Sequence, residues 1–159
     1  MSVTTYDPGN VKLSFNGIQM SGFADGTFIE VAPAEPRSKT QVSADGKHVT
    51  RVKSRNHAGT MTVTFVDGSE SNAFLSAMDK IDGEGVNVIF SVALEDNVNT
   101  EIFGASCWIE EAPSRTFGKE GGTSAWKIGL ANYVNLVSAQ SPNMLAIVGT
   151  VANLIEDIF

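Results

Sequence analysis

The 159-residue chain predicts a mainly β protein, an antiparallel β-sandwich or barrel with one flanking α-helix. Three observations carry that expectation. Short runs of alternating apolar and polar residues recur through the first two-thirds of the chain. Asn-Gly and Asp-Gly pairs, which suit tight β-turns, separate some of them. Only the stretch over residues 69–81 spaces its apolar residues clearly for a helix, although the order of elements allows a second one over 142–158.

The first strand is read in Val11-Lys12-Leu13-Ser14-Phe15, with Asn16-Gly17 turning the chain into Ile18-Gln19-Met20. Thr27 to Val31 alternates again and stops at Pro33 and Pro36, because proline donates nothing to a ladder. Thr40 to Ser43 and His48 to Val52 flank Ala44-Asp45-Gly46-Lys47, which predicts a hairpin. Beyond Val42, Val49 and Val52 it holds few large apolar residues, so it cannot bury itself well on its own domain. Arg55 to Gly59 closes it.

Thr60 to Val66 sets Met61, Val63 and Phe65 on one face and threonines on the other. Asp67-Gly68 ends that strand, Ser69 is a helix N-cap candidate, and Phe74, Leu75, Met78 and Ile81 form one helical stripe. Gly83 and Gly85 close the helix. Val86 to Leu94 and Thr100 to Glu110 are read as two strands around Glu95 to Asn99. Ala112 to Gly122 is a polar connection, and Ala125 to Leu136 reads as one long final strand. Ser141-Pro142 then suits a helix start, and Met144 to Phe159 is apolar almost all round, as for a segment docked on its own body or on a neighbour. The expected organisation is a β-domain over 1–140, with a basic hairpin at 37–57, and a helical extension over 141–159.

Charge sets limits on function. The chain carries a net −7, which disfavours a protein that grips phosphates. The segment Arg37 to His57 nevertheless holds six Lys and Arg against Asp45 alone, a net +5, and leaves the remainder at −12. A basic projection on an acidic body is the pattern of a charge-steered contact. The candidate contact residues are therefore Arg37, Lys39, Lys47, His48, Arg51, Lys53 and Arg55.

No catalytic constellation emerges, so no enzyme is read here. His48 and His57 lack a nearby carboxylate pair, which leaves no metal or acid–base site. Asp79 to Glu84 lacks the alternating ligand register of a calcium loop, and Gly118 and Gly121-Gly122 do not stand between a strand and a helix as in a phosphate loop. No cofactor is expected. Cys107, the single cysteine, is read as an apolar core or interface residue, and Trp108 and Trp126 as packing residues. Residues 1–10 carry no basic, apolar secretory signal, and 144–159 is short and polar-interrupted for a membrane span, so no membrane insertion by this chain is expected.

The order of these elements and several loop residues resemble the tail tube proteins of contractile-tailed phages. The resemblance spans roughly Tyr6 to Leu136. It rests on the basic hairpin around Asp45-Gly46, Gly59 before the Thr-rich strand, Ser69-x-x-Asn72-x-x-Leu75, Ala112-Pro113, Phe117-Gly118 and Thr123-x-x-Trp126. It implies a structural virion component related in architecture to the needle of type VI secretion. Hexameric rings would stack into a channel inside a contractile sheath, and DNA would pass through without tight binding. The implied partners are further copies of the chain and the sheath, baseplate and tape-measure proteins, with assembly in the host bacterial cytoplasm. A polar strand face bearing Thr60, Thr62 and Thr64 is the candidate channel lining. A baseplate or head–tail connector protein on the same domain is the alternative.

Overall fold

The computed structural model describes residues 3, 5–96, 100–137, 150–151 and 153–155. The described strands are β1 (Lys12–Phe15), β2 (Ile18–Gln19), β3 (Ile29–Pro33), β4 (Ser38–Val42), β5 (Val49–Lys53), β6 (Gly59–Val66), β7 (Phe90–Glu95), β8 (Thr100–Glu111), β9 (Thr123–Leu130) and β10 (Tyr133–Val137). One helix, α1 (Glu70–Gly83), stands between β6 and β7. All described strand pairings are antiparallel.

The main sheet runs β2-β1-β7-β8-β9-β6-β3, with β10 added beside β8. Its strand order is linear and ends on β2 and β3, so the layers form a sandwich rather than a closed barrel. The long β8 allows the fold-over. One of its edges pairs with β7, while the other is shared between β10 over residues 100–104 and β9 over residues 107–111. Register shifts between Phe90 and Val92 and between Ile109 and Glu111 bend the strands there.

Alternation explains which side chains are inside. Met61, Val63 and Phe65 of β6 and Trp126, Ile128 and Leu130 of β9 face one core together with Leu13, Phe15, Val92 and Cys107. Phe15 and Phe90 meet edge to face, with ring centroids 5.0 Å apart. The segment after β2 runs beside β6, where Val66 N donates to Gly22 O and Ala24 N to Thr64 O. Phe23 stacks on Phe65 at 5.4 Å.

Helix α1 starts as its sequence dictates. Ser69 is the N-cap, and its Oγ accepts from Ser71 N at 3.2 Å. Leu75 is buried, Phe74 and Met78 pack on the core from its margin, and Ile81 ends outside it. At the far end Asp82 Oδ1 accepts from Val88 N at 2.9 Å, so this acid organises the helix exit.

Four strand expectations are corrected. Ala125 to Leu136 is two strands, because the buried phase changes between Leu130 and Tyr133 and the chain turns at Ala131-Asn132 to leave β9 for β10. The strand expected from Val86 begins at Phe90; Val86 and Ile89 are exposed and outside the ladder. Strand β3 occupies 29–33 rather than 27–31. It accepts Pro33 because it is the last strand of the sheet and needs no donor on its outer side. The hairpin strands are Ser38–Val42 and Val49–Lys53. Of the expected C-terminal helix, residues 150–151 and 153–155 are helical, and 142–149, 152 and 156–158 lie outside the described residues, as do 97–99 of the β7–β8 connection.

Candidate inter-subunit surface

The basic segment is the outer end of a ribbon that begins in the core sheet. Strand β3 pairs with β6 as far as Pro33 and Gly59, and Ala34 N donates to Ala58 O at 3.0 Å. The segment leaving β3 bends at Ala34 and Glu35, between Pro33 and Pro36, and the ribbon resumes as β4 and β5, which pair only with each other. Ser54 N donates to Arg37 O at 2.8 Å and starts this second ladder. At the bend Ser54 Oγ meets Glu35 Oε1, Arg37 Nη1 meets His57 Nδ1, and Asn56 Oδ1 accepts from Ala58 N at 2.9 Å.

At the tip, Asp45 Oδ1 accepts from Ser43 Oγ and from Lys47 N, and Gly46 takes a φ of 70°, a value that suits glycine. The Ser43 hydroxyl, followed by the Lys47 amide, holds the Asp45 carboxyl below its ordinary 3.8.

Every residue of β4 and β5 is exposed. Register divides the cations between two faces. Ser38 pairs with Lys53, Thr40 with Arg51 and Val42 with Val49, so these six share one face. Lys39 pairs with Val52 and Gln41 with Thr50 on the other. Arg37 is drawn to the bend, while Lys47 and His48 stand at the tip end and Arg55 in the exposed return to β6. The expected contact residues thus lie along one projection, but on different sides of it. Val42 and Val49 are 61% and 66% exposed, which makes the tip apolar as well as basic.

A second surface lies outside the sequence expectations. The outer face of β7, β8 and β10 forms an open groove of about 530 Å³ that includes Ala93, Glu101, Phe103, Val134, Leu136 and the helical residue Ile155. The sign of it was present: Ile102 and Phe103 are adjacent apolar residues in a strand, so one must point away from the core.

The cysteine and the two tryptophans occupy packing positions. Cys107 is fully buried in the core, and burial pushes its thiol up to about 12. Trp126 is buried, and Trp108 lies over Gly129, where a Cβ would come within 2.6 Å of the indole. Among the described residues no group of three His, Cys, Asp or Glu side chains is placed to hold a metal ion. No described helix is long and apolar enough to cross a membrane. Thr60, Thr62 and Thr64 are half-buried on the outer face of β6.

No protein-family model matches the chain. No curated protein matches it. Solved structures do resemble it. The cap of the anti-feeding prophage, described as its tube-terminating cap, superposes with a TM-score of 0.55 at 6% identity, over 87% of this chain and 95% of that one. The sheath/tube terminator of PVC, an extracellular contractile injection system, superposes in its extended state with a TM-score of 0.54 at 8% identity, over 86% of this chain and all of the other. The fold is therefore that of proteins found at the end of contractile injection tubes.

Proposed function

We propose that the chain is a structural subunit of a contractile phage tail tube, assembling into stacked rings that conduct DNA inside a sheath. The observation that carries this reading is the exposed ribbon β4–β5, a basic and apolar-tipped projection attached to a domain of net −12. A ring that must stack with polarity needs one donating and one receiving surface, which is a heterologous contact. The ribbon supplies a donor whose two strands are exposed along their whole length on its own domain. Likeness of fold to the two tube terminators supports a place in such an assembly. No part of this role needs a catalytic group or cofactor.

The same two likenesses favour a second reading, a terminator that forms a single ring at the end of a tube made by another protein. Negative-stain microscopy of the purified chain separates the two. Long tubes of uniform diameter are the expected result. Isolated rings that never stack would assign the chain to the terminator role, and a monomer at all concentrations would overturn both.

A further inference from the structure

We propose that the groove on β7, β8 and β10 is the receptor for the β4–β5 hairpin of a second copy of this chain. This rests on the self-assembly reading above and adds to it the surface that receives the donor.

Two ladders match row by row. On the groove face, Ala93, Phe103 and Val134 stand side by side as one cross-strand row. Glu95, Glu101 and Leu136 form the next row, two residues and so about 7 Å further along the strands. On one hairpin face, Val42 and Val49 form a row, and Thr40 with Arg51 forms the next at the same spacing. Laying one face on the other sets the valines against Phe103 and sets Arg51 against the paired acids.

Among the described residues, both halves of this match stay open to solvent within one chain. Phe103 is 36% exposed although it stands in the centre of a sheet, and the two valines are more exposed still. Lys12 is the β1 neighbour of Glu95, which leaves Glu101 between an acid and Leu136, with no cation as its direct cross-strand partner. A guanidinium placed there gains a charge-assisted contact beside an apolar one, and opposite charges favour the encounter. The opposite hairpin face, with Gln41 and Thr50 in its middle row, offers neither the valine pair nor Arg51.

The test uses full-length variants mixed in pairs and joined by a short bismaleimide. The native Cys107 is buried and stays silent in the folded chain. Val49→Cys is expected to cross-link between chains to Phe103→Cys, and also to Ala93→Cys, a milder change in the same row. Thr50→Cys, on the other hairpin face, is expected to yield at least tenfold less. Adding Glu101→Lys to the groove partner should cut the Val49→Cys product about tenfold, and Arg51→Glu on the hairpin partner should restore it. Equal yields from Val49→Cys and Thr50→Cys, or no effect of Glu101→Lys, overturn the receptor. So does a link formed only within one chain carrying both cysteines. Rings or tubes without the Val49–Phe103 and Val49–Ala93 links would sink the receptor and leave the tube reading standing. The links without any ring would do the reverse, and absence of both would sink both.

Discussion

The indole Nε1–H of Trp126, on the buried face of β9, donates to Asn72 Oδ1 in the first turn of α1 at 2.9 Å. The same amide donates through Nδ2 to Val66 O at 2.8 Å, so one side chain ties the helix to two neighbouring strands. Beside it Ser71 Oγ accepts from Ser21 N and donates to Ser21 O, both at 2.9 Å. The helix start is therefore fixed by polar contacts in a setting where an unmade hydrogen bond is costly.

Replacing Asn72 by Ala leaves a buried indole N–H and the Val66 carbonyl without their amide partner. The orphaned indole N–H costs about 1–3 kcal/mol, while Val66 O keeps its bond from Ser69 N. Asn72→Ala is expected to lower stability in urea by an amount in that range or above it, with an unchanged m-value. A loss below about 0.5 kcal/mol would show that this junction does not hold the helix in place.

Gly59 supports a second junction, where β6 passes under Tyr133 at the start of β10. A Cβ there would collide with the Tyr133 ring and approach Ala32 O to 2.9 Å. Gly59→Ala is expected to cost about 1–3 kcal/mol through overpacking against backbone that cannot retreat. Gly68, where a Cβ would meet nothing within 4 Å, provides the contrast, and its replacement by Ala should change stability far less. Parallel thermal melts of the two variants measure the difference.

These junctions show why part of the fold was legible. Strand β6 alternates without exception, and Ser69 precedes a helical stripe, so both elements could be placed from local pattern. The turn between β9 and β10 was not, because the only trace of it is a change of phase between Leu130 and Tyr133 within an otherwise β-compatible run. Val86 and Ile89 look like strand residues, but no described strand pairs with them. For the candidate site, charge counting found the hairpin while register alone could separate Lys39 from Arg51 and Lys53. The groove as a whole has no local signature, because only the sheet order brings Phe103, Val134 and Leu136 together.

Cys107 gives a pH-dependent expectation. Its thiol is pushed from 9.0 to about 12 by burial, so the folded chain keeps a proton that the unfolded chain releases. Above pH 9 the unfolded state binds fewer protons at this site, and stability must fall as pH rises toward 12. Below pH 9 the site should contribute no slope. The difference in melting temperature between the native chain and Cys107→Ala, followed from pH 8 to 11, isolates the effect from other titrating groups. A difference that stays flat across that range would remove the burial argument. Under native conditions at pH 8 a maleimide should label the thiol only after denaturant is added.

Charge on the hairpin should govern assembly without governing folding. Lys47, Arg51 and Lys53 lie on an exposed ribbon, so reversing all three to Glu is expected to change unfolding free energy by no more than a few tenths of a kcal/mol per site. The same triple change removes the donor charge and is expected to abolish polymerisation in sedimentation and negative-stain assays. Lys39→Glu alters the opposite ribbon face and should weaken assembly much less. In the native chain, raising salt from 0.05 to 0.5 M should slow the onset of assembly, because screening shortens the reach of the attraction, while apolar burial by Val42 and Val49 should keep preformed polymers intact. Unchanged tubes from the triple variant would mean that the ribbon is only a solvated hairpin. Loss of tubes together with a large loss of stability would instead show that these cations act on the fold of the subunit and not on a contact between subunits.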